Sequence, residues 1–311
     1  VNRRFRQHIA RVISLECVRR LQIERLSCMS TELYQQIQEF YDASSNLWEE
    51  VWGEHMHHGY YGEDGNYKLD RRQAQIDLIE ELLNWSGDFT KNRPQNILDV
   101  GCGIGGSSLY LAEKFGARVT GITLSPVQAN RAKERARAAG LEAKTDFQVA
   151  NALEMPFADN SFDLVWSLES GEHMPDKEKF LQECYRVLKP GGTFIFATWC
   201  HRDISDRPLN KHEQRHLQRI YDVYCLPYTI SLSEYKAIAH RTNFQNIKTA
   251  DWSQAVAPFW DVVIDSAISP SAILGVLRSG LSTLTAALSL RQMSRGYADG
   301  LIKFGLLTAT K

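Results

Sequence analysis

The chain of 311 residues carries 36 Lys+Arg against 37 Asp+Glu, a formal net charge of −1, with 43% apolar and 23% charged residues. That composition is ordinary for a globular protein long enough to bury a sizeable core, and the even charge balance speaks against a dedicated nucleic-acid binder. No uncharged apolar run reaches the ~18 residues of a membrane-spanning helix. Cys17, Cys28, Cys102, Cys184, Cys200 and Cys225 are scattered, with no CxxC pair. They read as free thiols of a non-secreted protein in a reducing compartment, cytoplasmic or plastid-like, and not as a zinc site.

Charge is uneven along the chain. Residues 1–28 hold Arg3, Arg4, Arg6, Arg11, Arg19, Arg20 and Arg25 against Glu16 and Glu24, which is +5 and leaves −6 for the remainder. The stretch lacks the continuous apolar centre of a secretory signal. Three readings stand: a basic membrane-surface segment, an organelle-type presequence, or an extension that is not part of the fold. The third is preferred, because a domain opening starts at Met29 with MSTELYQQIQEFYD and Val1 is an odd native start.

From Met29 onward the spacing predicts helices first. Leu33, Ile37, Phe40, Tyr41, Leu47, Trp48, Val51 and Trp52 recur at helical intervals, and HMHHGYYG (55–62) follows. A second amphipathic helix covers 70–85, with Ile76, Ile79, Leu82 and Leu83 on one face. Strands are then expected over 96–101, 117–124, 145–151, 162–169 and 192–200. The helix after the second strand has Ser125 as its N-cap and Pro126 in its first turn. The helix over 176–189 is closed by KPGG (189–192). Strands alternating with helices give an α/β fold with a parallel sheet covered on both faces. Residues 201–243 read as a helical insertion over the carboxyl edge of the sheet. Segments 247–252 and 303–310 pair as the last two strands, with an apolar helical stretch, 256–295, between them.

The strongest motif is Asp99-Val-Gly101-Cys-Gly103-Ile-Gly105-Gly106, set between a strand and a helix. Glycines there allow a sharp turn and close backbone approach to a ligand, and the helix amino terminus favours negative charge. A dinucleotide loop has the same glycines but needs an acid about 20 residues on to hold a ribose. That region is Gly121-Ile-Thr123-Leu-Ser125, without an acid.

DVGCGIGG resembles the first motif of class I S-adenosylmethionine-dependent methyltransferases, and a longer series narrows this to the tocopherol methyltransferases. FYDASSNLWEEVWGEHMHHGYYG, DRRQAQIDLI, ILDVGCGIGGSSLYLA, LSPVQ, FQVANALEMPF, VWSLESGEHMPDK, RVLKPGG, ATWCHR, YDVYCLPY, KTADWS, VAPFWD and KFGLLT run in order from about residue 40 to 308. The resemblance implies a Rossmann-like, mostly parallel seven-stranded sheet with a helical cap insertion. It implies one domain over 29–311: an amino-terminal cap 29–90, a cofactor core 95–200, a substrate cap 201–243 and a carboxyl-terminal part 244–311. S-adenosylmethionine is the implied cofactor. Asp99, Gly101, Gly103, Gly105, Thr123, Gln128, Asn151, Ala152 and Leu168 are its expected binding residues, with Tyr41 and His58 lying over it.

Glu169-Ser-Gly-Glu172-His173 follows the fourth strand, at the edge where α/β ligands sit. A phenol ring carbon becomes nucleophilic when the phenolic proton is removed, so a base within hydrogen-bond reach fits the chemistry. His173 is the natural base, with Glu172 or Glu169 orienting it or holding the hydroxyl; His57 and His58 are the runners-up. His55, His57 and His58 lack acid or thiol partners at ligand spacing, so no metal is expected. Trp52, His57, Trp199 and Tyr224 are expected to wall the acceptor. The acceptor implied by the resemblance is an amphipathic phenolic lipid, γ- or δ-tocopherol, with a peripheral membrane contact left open and neither nucleic acid nor a protein partner implied. An N-methyltransferase of an amine natural product is the alternative enzyme, and a cofactor-binding module without catalysis is the alternative class.

Overall fold

The computed structural model describes residues 33–39, 41, 42, 49, 53–205, 207–267 and 281–311. Residues 1–28, Phe40, Trp48 and Trp52 lie outside that set, and with them the basic extension and one expected acceptor-wall residue.

The seven strands are β1 (Asn96–Val100), β2 (Arg118–Thr123), β3 (Thr145–Val149), β4 (Phe162–Leu168), β5 (Leu188–His201), β6 (Gln245–Asp251) and β7 (Ile302–Thr310). They form one sheet in the order β3-β2-β1-β4-β5-β7-β6. The first five are parallel, and β7 is antiparallel to both β5 and β6. The helices that connect or cover them are α1 (Arg71–Ser86), α2 (Gly106–Phe115), α3 (Pro126–Ala138), α4 (Lys177–Val187), α5 (Lys211–Tyr224), α6 (Leu232–Arg241), the one-turn α7 (Ser253–Val256), α8 (Pro258–Ala267) and α9 (Leu281–Ala298). Residues 33–39, 41, 42 and 49 are helical as well.

Strict alternation of side chains sorts the sheet residues between two cores. Leu164, Trp166 and Leu168 of β4, with Ile195, Ala197 and Trp199 of β5, join the core that holds Leu78, Leu82 and Trp260. Val165, Phe194 and Phe196 point to the opposite core, with Phe180, Tyr235 and Phe244. Burial on both faces explains the near-continuous apolar runs of the central strands.

Helix starts follow local chemistry. Ser125 caps α3 with Pro126 at its first position, and Asp176 accepts from the Lys179 amide at 2.8 Å to open α4. Asn210 with Glu213, and Ser231 with Glu234, form reciprocal capping boxes for α5 and α6. KPGG does not close the helix over 176–189 as expected, because α4 already ends at Val187. The strand runs from Leu188, and the extra residues bulge between the Phe162–Leu188 and Leu164–Thr193 pairs, with Gly191 at φ 76°.

Candidate active site

Strand order reverses between β1 and β4, so the loops that leave their carboxyl ends diverge and open a crevice, the usual place for a ligand in an open α/β sheet. One cavity occupies it, with about 1290 Å³ of empty space including its mouth.

One half of the wall is backbone. Gly101 leaves β1 at φ 82°, and its amide and that of Cys102 donate to the Ile122 carbonyl at 2.9 and 3.0 Å, tying the loop to β2. A Cβ on Gly101 would lie 2.2 Å from Ser170 Cβ. Gly103, at φ 53°, has only Met56 Sδ within 4 Å of a Cβ position, at 3.7 Å, so its face is open toward the cavity. Asp99 is buried beneath the loop. It accepts from Ser108 Oγ at 2.6 Å, and burial pushes its carboxyl up to about 7. At the end of β2, Thr123 Oγ1 donates to Gln128 Oε1 at 2.8 Å, both buried, and Ser125 hydrogen-bonds Asp42 of the amino-terminal helix. After β3, Asn151 Oδ1 accepts from the Leu153 amide at 2.9 Å, holding the turn that presents Ala152.

The other half is side chain. Glu169 sits at φ 54° after β4, with its carboxylate buried. It accepts from the His58 amide at 2.7 Å, from His58 Nδ1 at 2.8 Å and from Trp199 Nε1 at 3.0 Å. Burial alone would raise its pKa; the charge and hydrogen bonds of His58 outweigh that and hold it below the usual carboxylate value. Glu172 accepts from Thr198 Oγ1 at 2.6 Å. Burial, then the neighbouring Glu169 charge, push it up to about 7. His173 Nε2 lies 2.7 Å from the Tyr41 hydroxyl, and its Nδ1 is buried with no hydrogen-bond partner. Burial, reinforced by Lys177, lowers the imidazole to about 3, so it is neutral. The paired carboxylates therefore differ: Glu169 is a fixed anion, and Glu172 exchanges a proton near neutral pH.

Most of the residues expected from the sequence line this one cavity: Asp99, Gly101, Gly103, Thr123, Gln128, Asn151, Ala152, Leu168 and Tyr41, and with them Glu169, Glu172, His173, His57, Trp199 and Tyr224. Two do not. Gly105, at φ 84°, is the N-cap of α2, and a Cβ there would press on Ala132 and Phe147 at 3.0 Å; it is a turn and packing glycine. His58 is wholly buried behind Glu169, its ring 5.0 Å from those of Phe259 and Trp260, so it supports the carboxylate and does not lie over the cavity. The sequence reading passed over Thr198, Ser170 and Lys177. Thr198 and Ser170 carry no local signal, and Lys177 falls in the charged run DKEK, which looks like a solvated helix start.

Residues 98–196 match the family described as a methyltransferase domain. The chain is 49% identical over 291 residues to the tocopherol O-methyltransferase, chloroplastic, of Arabidopsis thaliana, covering 91% of this chain and 84% of that protein. It belongs to the tocopherol methyltransferase family. The family is one branch of the class I S-adenosylmethionine-dependent methyltransferases, and the Rossmann-like sheet is that of the class. More distantly, ajmaline N-methyltransferase of Rauvolfia serpentina is 37% identical over 284 residues, covering 88% of this chain and 96% of that one. Among solved structures, a protein of Galdieria sulphuraria named for sarcosine and dimethylglycine methylation superposes with a TM-score of 0.75 at 28% identity, covering 87% of this chain and 98% of that chain.

Proposed function

We propose that this chain transfers a methyl group from S-adenosylmethionine to the ring carbon ortho to the phenol of γ- and δ-tocopherol, giving α- and β-tocopherol. The observation that carries the proposal is a single cavity lined both by the glycine loop and by the Glu169–His173 turn with Trp199 and Tyr224. Cofactor and acceptor would share it.

The residues present fit the cofactor. The open face of Gly103 is the surface a Cβ would obstruct, and the buried Thr123–Gln128 pair offers hydroxyl and amide groups to a ribose. When bound, S-adenosylmethionine supplies a methyl on a sulfonium centre. Gly101 and Gly103 would then bring the backbone close to its amino-acid part, and Asn151 and Ala152 would border the adenine.

On the acceptor side Trp199 and Tyr224 line the cavity, packed edge-to-face with centroids 5.2 Å apart, and such aromatic walls suit a chromanol ring. A proton acceptor works best with a pKa near the working pH. That favours Glu172, near 7, over His173, near 3 and engaged with Tyr41. Glu172 takes the phenolic proton, and a carbon–carbon bond would form as the carbon–sulfur bond breaks to leave a neutral thioether. The ring carbon's proton then passes to a second acceptor in the wall or to water while Glu172 returns its own to the oxygen, which restores the phenol with one proton released overall. Holding the oxygen by hydrogen bonds at Glu172 also turns it away from the methyl, which favours carbon over oxygen. His57 Nδ1 donates to its neighbour's carbonyl at 2.8 Å and leaves a buried Nε2 without a partner, a second acceptor in the wall.

Residues 29–311 would act as one domain with 201–243 closing over the acceptor. Among the described residues no helix is long and apolar enough to cross a membrane. A lipid substrate would then be met by peripheral contact, in a plastid-type compartment.

The test is methyl transfer with separate β-, γ- and δ-tocopherol, reading product mass and the survival of the free phenol. Both readouts are needed, because carbon and oxygen methylation add the same mass. One methyl gained by γ and δ only, with the phenol intact, supports the proposal. Loss of the phenol would move the reaction to oxygen. Methylation of a tertiary or secondary amine with none of the tocopherols would favour the second reading, for which the carboxylates beside Trp199 and Tyr224 could hold an ammonium.

A further inference from the structure

Lys177 opens α4 and is 2% exposed, yet among the described residues its ammonium has no carboxylate within salt-bridge distance. Nζ donates instead to two main-chain oxygens of the turn that bears the acid and the imidazole, Gly171 O at 2.8 Å and Glu172 O at 2.9 Å. Its outer side lies 4.9 Å from the ring centroid of Tyr228, in the segment between α5 and α6. The hydroxyl of Tyr228 donates in turn to the Pro175 carbonyl at 3.2 Å, and that of Tyr235 to the Gly171 carbonyl at 3.3 Å.

Burying an ammonium among carbonyls and one aromatic face is costly, and replacing it by an apolar chain of the same length would often be neutral or stabilising. Fold stability is therefore a poor reason for a lysine here. Geometry offers a better one. The three-residue turn Gly171–His173 has room for few backbone adjustments, since a Cβ on Gly171 would sit 2.4 Å from the Phe196 ring. A two-pronged ammonium from behind fixes where Glu172 and His173 project into the cavity. It also ties that turn to the cap segment holding Tyr228.

We infer that Lys177 is a positioning residue of the methyl transfer: it clamps the Gly171–His173 turn from outside the cavity and supplies, among the described residues, the one cation beside Glu172. The inference rests on Glu172 as proton acceptor. The groups that face Glu172 are Glu169 from its own loop, Lys177 from α4, Tyr41 from the amino-terminal helix, Cys200 from β5, Tyr235 from α6 and Tyr297 from α9. Of these only Lys177 is a cation; it lowers Glu172 against the opposing effect of Glu169. Burial lowers Lys177 itself to about 7, and Glu172 then Cys200 oppose that.

The experiment compares Lys177→Met, Lys177→Gln and Glu172→Gln in the full chain, measuring kcat and KM with γ-tocopherol from about pH 5.5 to about 9.5, affinity for S-adenosylhomocysteine, and thermal unfolding. Lys177→Met is expected to unfold no earlier than the parent and to keep its S-adenosylhomocysteine affinity. Its kcat should fall about 10- to 100-fold, and the rising limb of kcat/KM should move to higher pH. Lys177→Gln keeps an amide donor without charge, so it should recover part of kcat while the limb stays displaced. If both lysine variants keep the parent's kcat and limb while Glu172→Gln is inactive, Lys177 has no such role although the acceptor reading stands. If Glu172→Gln retains full activity, the acceptor reading itself fails. A Lys177→Met that does not fold, with Lys177→Gln folded and unchanged in pH profile, also overturns the inference.

Discussion

Around the glycine loop, conformation is set residue by residue: Gly101 and Gly103 take left-handed backbone angles, and one amide after another ties the turn to β2. Around Glu169–His173 the same cavity is lined by groups whose state is set by residues far away in sequence. Glu169 depends on His58 and Trp199, Glu172 on Thr198, His173 on Tyr41, with separations of 26 to 132 positions. The first half is intolerant of added atoms, the second of changed charge. Substitutions on the two sides should therefore fail in different ways.

The largest effect is expected from Gly101→Ala. The new methyl would lie 2.2 Å from Ser170 Cβ, far inside van der Waals contact, and the backbone angle is one that alanine resists. Relief requires movement of either β1 or the Glu169 loop, at a cost of roughly 3 kcal/mol or more. Calorimetric titration with S-adenosylhomocysteine should show no binding, with a lowered melting temperature. Ordinary affinity in this variant would remove the loop from the cofactor site.

Glu172→Gln should lose less binding and more chemistry. Kinetics with γ-tocopherol are expected to show kcat reduced about 10²- to 10⁴-fold, with S-adenosylhomocysteine affinity retained. The parent's kcat/KM should rise with pH through about 7 as Glu172 ionises. Stability has the opposite sign. The folded protein holds the Glu172 proton more tightly than the unfolded chain, so this contribution is full below about 4.5 and is lost as pH rises through about 7. At pH 8 the neutral amide should therefore stabilise the apo protein by on the order of 2 kcal/mol, visible as a higher melting temperature. A variant both inactive and less stable at pH 8 would argue that Glu172 is ionised by contacts, not held near neutrality.

How much of this was legible beforehand follows the same division. The parallel sheet and the glycine loop depend on local pattern, and the alternation of strand and helix together with DVGCGIGG announced them, whereas the strand order is set by long-range pairing and did not show. Ser125 and Pro126 announced α3 in the same way. The states of the carboxylates did not show, because Glu169 and Glu172 are three residues apart with similar neighbours in sequence and differ only in what the fold brings against them. His58 illustrates the point. The histidine-rich stretch marked the right neighbourhood, but only the fold turns His57 toward the cavity and His58 into the aromatic core. Gly105 is a glycine for the sake of Ala132 and Phe147, which no motif records.

A paired substitution sharpens the glycine side. Gly103→Ala adds a methyl with only Met56 Sδ nearby, so its stability cost should be about 1 kcal/mol for the left-handed backbone, while affinity for S-adenosylhomocysteine drops at least tenfold if the cofactor passes over that face. Gly105→Ala presses on Ala132 and Phe147 and should cost about 1–3 kcal/mol, with affinity nearly unchanged in the fraction that folds. Melting curves and titrations on the two variants separate the roles, and equal losses of affinity would contradict the division drawn between them.

The smallest effect should come from Tyr41→Phe. The ring that packs edge-on against His173, with centroids 5.4 Å apart, would remain, and only the hydroxyl 2.7 Å from Nε2 would go. His173 is already neutral through burial, so losing this contact alters its orientation more than its charge. One neutral hydrogen bond contributes about 0.5–1.5 kcal/mol, which corresponds to a kcat lower by about 3- to 10-fold. The rising limb near pH 7 should not move, because the Tyr41 phenol is held far above its ordinary value, by burial first and then by the two carboxylates, and stays protonated throughout. A displaced limb in this variant would mean that Tyr41 and His173 carry the proton themselves, and would return the role of base from Glu172 to the histidine.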